Sequence, residues 1–299
     1  MIDVISVVIP SYKRHEQVVQ AVRSALRQTL PPLEVVVSND GPDADKARLL
    51  AALDDARVRF VEAPRRGNAS ATRNFGIRQA TGDWVALLDD DDVWRTEKLA
   101  AQFAALERSG HDQAVLAGVE AVFSNGRLLH ERPSRPVPAD VPVDHVLFCG
   151  YGGVHTSTLM APRWAFEKYL FDEELERHED WSWMLQVGAE LPLVVAPEVV
   201  CERYLAPGEG LSRPGGYDFS RGWYEQNKGL MSPKARAAFV ANILSRKAAF
   251  DRRVTALPWL AKEVARNGRM SVANVKRLLL PWLVPTRVRQ AIKARRAES

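Results

Sequence analysis

The order of apolar runs in the first 90 residues is the feature that most constrains the fold. Short runs rich in β-branched residues predict four strands, over residues 4–9, 33–37, 58–61 and 84–88. Segments with apolar residues at helical spacing lie between them, over residues 15–28, 45–53 and 68–80. Because the strands alternate with helices and are apolar on both faces, the sequence predicts an α/β fold, a mostly parallel sheet flanked by helices.

The pattern becomes less regular beyond residue 96. Apolar spacing predicts helices over residues 97–107 and 180–189, and strands over residues 114–123 and 194–204, the last interrupted at Pro197. Asn125 and Gly126 lie between apolar segments and predict a hairpin turn. Residues 206–216 contain four glycines and two prolines, which is typical of a loop. We expect the remainder of the chain to be helical.

Three of the predicted strands end in residues that suit contact with a ligand. Tyr12 comes just after the first strand, Asp40 after the second and Asp89 after the fourth. In an open parallel sheet, ligands bind outside the carboxyl ends of the strands, so we expect these residues to meet in one crevice. Taken alone, Asp40 and Tyr12 are weak evidence for a ligand site, because Asp40 could be a turn residue before Gly41 and Tyr12 could cover the sheet edge.

Four consecutive aspartates, Asp89, Asp90, Asp91 and Asp92, form the strongest chemical signal. They follow a buried apolar run directly, and a structural turn needs no more than one or two carboxylates. A divalent cation would offset their mutual repulsion, and hard oxygen ligands suit Mg²⁺ or Mn²⁺. Because Mg²⁺ is usually shared with substrate phosphates, this pattern favours a diphosphate ligand. The alternative is a solvated acidic loop that caps the following helix.

Four segments together carry a resemblance to a known family: residues 6–14, 37–41, 67–77 and 89–94. In order and spacing they resemble the family 2 inverting glycosyltransferases over about the first 110 residues, and more loosely to about residue 213. The resemblance implies a GT-A fold within residues 1–215. Residues 1–110 would form its nucleotide-binding half and residues 111–215 its acceptor half. A basic helical region would follow over residues 216–299.

The resemblance also implies roles for individual residues. It assigns Pro10, Tyr12 and Arg14 to the nucleotide-binding first loop, Asp40 to the base, Arg73 to the neighbourhood of the nucleotide, Asp89 and Asp90 to the ribose or to water around the metal, and Asp91 together with Asp89 to the metal. In this family the base is typically uracil. Asn39 stands where the family usually has a first acidic residue, while the second acidic position, Asp40, is kept.

A second group comprises His178, Glu179, Asp180 and Trp181. It resembles a motif of the family in which an acidic pair precedes an aromatic residue. The resemblance makes Asp180 the general base, with Glu179 as the alternative. Inverting transfer needs one carboxylate on the acceptor side to take the hydroxyl proton. Asp180 could instead be only the N-cap of the predicted helix.

Three further residues have weaker interpretations. Tyr204 and Arg213, on either side of the glycine-rich loop, are candidates for contact with donor phosphates. His155 we interpret as a packed or surface histidine.

The C-terminal part of the chain is strongly basic. Residues 219–299 contain 18 Lys or Arg and 4 Asp or Glu, whereas the rest of the chain is acidic on balance. The apolar stretch at residues 278–285 contains Trp282 and lies between cations, the composition of a segment in an anionic membrane interface. The alternative is a helix packed on the catalytic domain. We expect no nucleic acid partner, because aromatic residues are not interleaved with the charges.

Together with the family resemblance, the sequence predicts an inverting, metal-dependent glycosyltransferase that moves a sugar from a nucleotide-sugar donor to a hydroxyl group. The resemblance and the basic C-terminal region imply that the acceptor is a glycan or lipid-linked molecule of cell-envelope polysaccharide synthesis. The resemblance implies that this donor is a UDP-sugar. With two cysteines and no signal-peptide pattern at its start, we expect the protein in the cytoplasm, either free or peripheral at the inner face of the membrane. The alternatives are a sugar-nucleotide pyrophosphorylase, which should carry a Gly-rich basic loop after the first strand, and a non-catalytic nucleotide-sugar-binding membrane adaptor.

Overall fold

The computed structural model describes residues 4–205, 216–268 and 271–283. The chain divides into two compact units. The first comprises Met1–Val143 and Gly153–Pro207, and the second comprises Asp144–Gly152 and Gly208–Ser299.

All the strands among the described residues belong to one sheet in the first unit. They are β1 (Ile5–Ser11), β2 (Glu34–Asp40), β3 (Val58–Ala63), β4 (Trp84–Leu87), β5 (Asp92–Trp94), β6 (Val115–Ser124), β7 (Arg127–Arg132), β8 (Met160–Pro162) and β9 (Leu193–Leu205). The spatial order is β3-β2-β1-β4-β8-β6-β9-β5, and β7 pairs with β6. The four strands from β3 to β4 are parallel, as predicted. The sheet is mixed beyond β4, because β8 is antiparallel to both β4 and β6, whereas β9 is parallel to β6.

Helices flank this sheet and build the second unit. They are α1 (His15–Leu26), α2 (Ala44–Ala51), α3 (Ala69–Gln79), α4 (Lys98–Ser109), α5 (Val143–Phe148), α6 (Arg163–Lys168), α7 (Glu179–Val187), α8 (Tyr217–Asn227), α9 (Pro233–Phe239), α10 (Ser245–Phe250), α11 (Leu257–Arg266) and α12 (Val272–Leu283). Every residue of β1 and β2 is buried, which requires cover on both faces of the sheet. The α/β prediction is confirmed.

The residues at the start and in the middle of α3 explain how this helix is positioned. The Asn68 side chain accepts hydrogen bonds from the backbone N–H groups of Ser70 and Ala71 and so caps the helix. At Gly76 a Cβ atom would lie 2.7 Å from a methyl carbon of Val8, so only glycine permits this close approach to the sheet. The cap and the close approach fix the helix that carries Arg73.

Two local predictions in the second half of the sheet are confirmed. Asn125 and Gly126 form the turn between β6 and β7, with φ values of 51° and 73°. Such positive φ values are typical of two-residue hairpin turns. The β6–β9 register shifts on both sides of Val119, next to the part of β9 that contains Pro197. The proline therefore interrupts the pairing without ending the strand.

The second unit is helical, as predicted, and an aromatic cluster forms its core. The Phe239 ring lies 5.1 Å from Phe148, 5.3 Å from Trp223 and 5.5 Å from Tyr224, measured between ring centroids. Over the described part of the chain, none of the helices has both the length and the apolar character needed to cross a bilayer.

Candidate active site

A cleft of about 670 Å³ lies in the first unit, at the carboxyl ends of β1, β2 and β4. This volume is typical of small-molecule sites. Nine of the ten residues to which the family resemblance assigns a role line it: Pro10, Tyr12, Arg14, Asp40, Arg73, Asp89, Asp90, Asp91 and Glu179. The crevice expected from the ends of the strands is therefore present. Asp180, the tenth, is adjacent to Glu179 in the first turn of α7.

Asp90 joins the end of β4 to the loop after β1. One of its carboxylate oxygens accepts a hydrogen bond of 2.8 Å from the Ser11 hydroxyl, and the other accepts one of 2.7 Å from the Arg14 guanidinium. The Asp90 carboxylate is buried, so charge-assisted bonds of this kind are needed to hold it there. Lys13, in the same loop, has a φ of 62°, a conformation that a non-glycine residue adopts at some cost. The loop is thus held in a specific shape before any ligand binds.

Asp40 organises the loop that leads into α3. Its two carboxylate oxygens accept hydrogen bonds from the backbone N–H groups of Arg66, at 2.7 Å, and Gly67, at 2.8 Å. Each oxygen retains a further lone pair for a donor on a ligand. The Tyr12 ring is exposed nearby, with the guanidinium of Arg65 5.6 Å from its centroid. An exposed aromatic ring and a carboxylate that line the same cleft can stack on a base and accept one of its N–H groups.

Asp89 is paired with a buried arginine. Its carboxylate is 3.0 Å from a terminal nitrogen of Arg73, whose guanidinium also lies 4.9 Å from the Phe171 ring centroid. Burial would raise the pKa of Asp89, but the positive charge of Arg73 and its hydrogen bond outweigh this effect and hold the pKa below its usual value. Two other guanidinium nitrogens of Arg73 are buried and have no hydrogen-bond partner among the described residues, and the residue lines the cleft.

Asp91 differs from Asp89 because its negative charge is only partly compensated. Burial and the negative charge of Asp89 raise its pKa, although Arg14 lies 3.1 Å away. Its partly exposed carboxylate lines the cleft beside that of Asp89. Two oxygen donors with excess negative charge are a set that fits a hard divalent cation such as Mg²⁺ or Mn²⁺.

Asp92, the last of the four aspartates, is separated from the cleft. It is buried at the start of β5, where it accepts a 2.5 Å hydrogen bond from the Ser157 hydroxyl. His155 Nδ1 is 3.4 Å from both Asp92 and Glu120, and the ligand atoms of Asp89, Asp92 and His155 all lie within 4.8 Å of one another. His155 is packed, one of the two states expected for it, but it contacts carboxylates near the cleft.

Sequence reasoning missed Glu120, although one signal could have indicated it. Glu120 is a charged residue within an otherwise apolar strand, and such a residue is rarely buried without a partner. Its partner is the Arg132 guanidinium, which donates a 2.7 Å hydrogen bond.

The acidic pair lies at the start of α7. His178, which precedes this helix, has a φ of 70°, and its ring stacks on Trp181 at a centroid distance of 4.3 Å. Burial, and then the negative charge of Glu179, raise the pKa of Asp180 to about 7. The Asp180 side chain accepts a hydrogen bond of 2.8 Å from the Trp181 backbone N–H and is not the residue that precedes the helix. A carboxyl group with a pKa near neutrality has the chemistry of a general base.

The far wall of the cleft contains a residue that sequence analysis did not select. Arg203, on β9, lines the cleft, whereas the neighbouring Tyr204 is exposed and donates a hydrogen bond to Glu202. Arg213, the other candidate for phosphate contact, lies outside the described residues. Arg203 lines the cleft and Tyr204 does not because adjacent side chains of a strand point to opposite faces of the sheet.

The chain is similar to known proteins in sequence and in fold. The family model described as glycosyl transferase family 2 matches residues 6–170. The chain is similar to the amylovoran biosynthesis glycosyltransferase AmsB of Erwinia amylovora, at 28% identity over 64% of this chain and 67% of AmsB. It is also similar to the succinoglycan biosynthesis protein ExoO of Rhizobium meliloti, at 36% identity over 42% of this chain and 36% of ExoO. The chain therefore spans little more than a third of ExoO.

Among solved structures, the chain is similar to TarS of S. aureus in complex with UDP-GlcNAc. The TM-score is 0.63 at 16% sequence identity, and the match covers 88% of this chain and 80% of that structure. At this level of identity the similarity concerns the fold.

Proposed function

The chain belongs to glycosyl transferase family 2, and from that premise we propose that its cleft binds a UDP-sugar and transfers the sugar, with inversion, to a hydroxyl group of a glycan or lipid-linked acceptor. The observation that carries this proposal is the convergence of nine predicted residues on one cleft, next to a carboxyl group whose pKa is about 7. The cleft can hold a nucleotide diphosphate, and the carboxylate can accept a proton.

The residues in the donor half of the cleft support a specific placement of the base, the ribose and the diphosphate. The base would stack on Tyr12 and donate an N–H to Asp40, and the ribose hydroxyls would bind Asp90. Arg73 and Arg203, the arginines of α3 and β9, would bind the diphosphate oxygens, since guanidinium groups suit phosphate.

A divalent cation, Mg²⁺ or Mn²⁺, would be held by Asp91 and Asp89. Their oxygen donors and the raised pKa of Asp91 fit such an ion, because a cation would offset the excess negative charge. A bound cation of this kind supplies positive charge that neutralises a departing diphosphate.

Asp180 is the proposed general base. The acceptor hydroxyl attacks the anomeric carbon of the donor from the side opposite the diphosphate, the bond from that carbon to the diphosphate oxygen breaks, and Asp180 takes the hydroxyl proton. Inversion follows from this single displacement. Glu179 is the alternative base, because it lines the cleft directly. The raised pKa favours Asp180, since a base works best when its pKa is near the ambient pH.

The test is release of UDP from a panel of UDP-sugars with Mn²⁺ and a hydroxyl acceptor. A transferase releases UDP without added pyrophosphate. A pyrophosphorylase would turn over only when pyrophosphate is present, and a non-catalytic adaptor would release nothing. Either of the last two results would overturn the proposal.

The acceptor is proposed from the relatives. AmsB and ExoO are named for amylovoran and succinoglycan biosynthesis. We propose that this chain also acts in polysaccharide biosynthesis, at the cytoplasmic face of the cell membrane.

The last described helix supports contact with an anionic membrane surface. The inward side of α12 is fixed by buried Leu278 and by Trp282, whose indole N–H donates to the Ser245 hydroxyl at 2.9 Å. Its other side exposes Val272, at 72%, and Leu283, at 75%. Exposed Lys276 lies between them at helical spacing. Apolar side chains around a cation are typical of helices that lie in the plane of an anionic interface.

Co-sedimentation with vesicles tests this contact. The wild-type chain should bind phosphatidylglycerol vesicles in low salt and bind phosphatidylcholine vesicles weakly. The double variant Leu279→Ser, Leu283→Ser should lose most of this binding, whereas Leu230→Ser, at another exposed leucine of the second unit, should retain it. Equal binding by both variants would refute a role for α12.

A further inference from the structure

A lysine is completely buried beneath the donor half of the cleft. Lys46 lies in the first turn of α2, with 0% of its surface exposed. Its ammonium donates hydrogen bonds to the Ser11 hydroxyl, at 2.8 Å, and to the side-chain carbonyl of Asn39, at 2.6 Å. An ammonium is rarely buried unless neighbouring groups compensate it, and the Asp43 carboxylate lies 4.0 Å away. Lys46 itself does not line the cleft.

Its two hydrogen bonds connect it to the ends of three strands. Ser11, which accepts from Lys46, donates its own hydroxyl proton to Asp90 just after β4. Asn39, which also accepts from Lys46, donates its amide N–H to the Gly41 carbonyl at 2.6 Å and so holds the turn that follows Asp40. One buried cation therefore supports the Asp90 carboxylate through Ser11 and the end of β2 through Asn39.

We propose that Lys46 is a positioning residue for the nucleoside of the donor, and that it acts through Ser11 and Asn39 on the placement of Asp90 and Asp40. The inference rests on the proposed function, in which those two carboxylates bind the ribose and the base. Lys46 touches neither the substrate nor the groups assigned to proton transfer. Its loss should therefore weaken nucleotide binding and leave the transfer step nearly unchanged.

The chain offers a matched control in Lys98. Lys98 is also 0% exposed and lies in the first turn of a helix, but it donates to Gln102 and lies 4.1 Å from the Trp94 ring centroid, among residues that do not line the cleft. Lys46→Met and Lys98→Met remove the same amino group from equally buried positions. Because burial lowers the pKa of Lys98 to about 7, the comparison is made at pH ~6, where Lys98 is charged. A general effect of removing a buried amino group should appear in both variants.

The experiment is calorimetric titration of UDP into the wild-type chain and both variants, with donor KM and kcat measured alongside. For Lys46→Met we expect the UDP Kd and the donor KM to rise about tenfold, which is the size of effect that losing one hydrogen bond produces, with kcat within about twofold of the wild type. Lys98→Met should keep the wild-type Kd. Equal Kd values for Lys46→Met and the wild type, or equal losses in both variants, would overturn the inference.

Ser11→Ala supplies a second measurement if Lys46→Met does not fold. It removes the link between Lys46 and Asp90, so it should raise the UDP Kd in the same direction. If both variants fold, their effects should be less than additive, because they break the same connection. An unchanged Kd in Ser11→Ala would contradict the inference. Failure of the wild-type chain to bind UDP at all would instead refute the proposed function.

Discussion

The two sides of the cleft differ in how their charges are compensated. On the donor side, Asp90 is bonded to Arg14 and Ser11, and Asp89 is bonded to Arg73. On the side of α7, Asp180 has a pKa raised to about 7, because burial and the charge of its neighbour Glu179 both oppose its ionisation. Asp89 and Asp90 are thus paired before a ligand arrives, and Asp91, the proposed cation ligand, is the donor-side carboxyl group with a raised pKa. On the α7 side Asp180 has no arginine bonded to it among the described residues, and its charged state is unfavourable.

This difference corresponds to two tasks. Paired groups hold a binding site in one geometry, so that little reorganisation is needed when a ligand enters. A group with a perturbed pKa exchanges a proton readily near neutral pH and is typical of catalytic positions. If the two tasks are separate, variants on the donor side should change nucleotide binding, and variants at the start of α7 should change the rate of transfer.

The largest effect is expected from Asp180→Asn, which keeps the shape of the side chain and removes the base. We expect kcat to fall about 1,000-fold, within the range that general-base catalysis contributes, with the UDP Kd unchanged. Steady-state UDP release and calorimetry measure the two quantities.

Glu179→Gln is the matched variant for this experiment, since it changes the adjacent carboxylate. It should cost less in kcat than Asp180→Asn. If Asp180→Asn keeps most of its kcat while Glu179→Gln loses most of it, Glu179 and not Asp180 is the general base.

A smaller effect, on the order of 100-fold in kcat/KM, is expected from Asp91→Ala, because it removes a proposed cation ligand. The diagnostic measurement is the UDP Kd with and without Mn²⁺. In the wild-type chain Mn²⁺ should tighten binding, and in Asp91→Ala it should make no difference. Asp83→Asn, at an exposed aspartate that does not line the cleft, should behave as the wild type. Full retention of the Mn²⁺ effect in Asp91→Ala would show that another group holds the ion.

The next prediction concerns the pH dependence of kcat/KM, which reports the ionisation of groups in the free enzyme. Asp180 must be ionised to accept a proton, and its pKa is about 7. The value of kcat/KM should therefore fall about tenfold for each pH unit below ~6 and level off above ~8. In Glu179→Gln the inflection should move to lower pH, because the negative charge that helps to raise the pKa of Asp180 is gone. A profile that is flat from pH ~5 to pH ~8 would be incompatible with this base.

The smallest effect is expected on stability. A carboxyl group whose pKa is higher in the folded than in the unfolded chain stabilises the fold below the unfolded pKa, and this contribution is lost as the pH rises through about 7. Asp180→Asn should therefore raise Tm by about 2–4 °C at pH ~8 and by less at pH ~5. Thermal unfolding at the two pH values measures the difference. A lower Tm in the variant at the higher pH would mean that the carboxylate is well compensated.

The donor side was accessible from the sequence because its residues follow strand ends. Asp89 comes directly after an apolar run, Tyr12 and Asp40 each come three residues after one, and the geometry of a parallel sheet brings such positions together. The family resemblance then assigned roles to them. The position of each residue relative to a predicted strand was therefore enough to predict that these residues meet in one cleft.

Other residues were beyond sequence reasoning because their contacts join distant parts of the chain. Lys46 resembles any helical lysine until the structure places it against Ser11 and Asn39. Arg203 and Tyr204 are neighbours in the sequence, and which of them faces the cleft depends on the register of β9 with β6.

Anomalous diffraction from crystals grown with UDP and Mn²⁺ tests most directly whether the donor side of the cleft holds the nucleotide and its cation. We expect a manganese peak at Asp91, with the uracil beside Tyr12 and Asp40 and no ligand atom bonded to Asp180. A manganese peak only at Asp92 and His155, or UDP bound outside this cleft, would contradict this expectation.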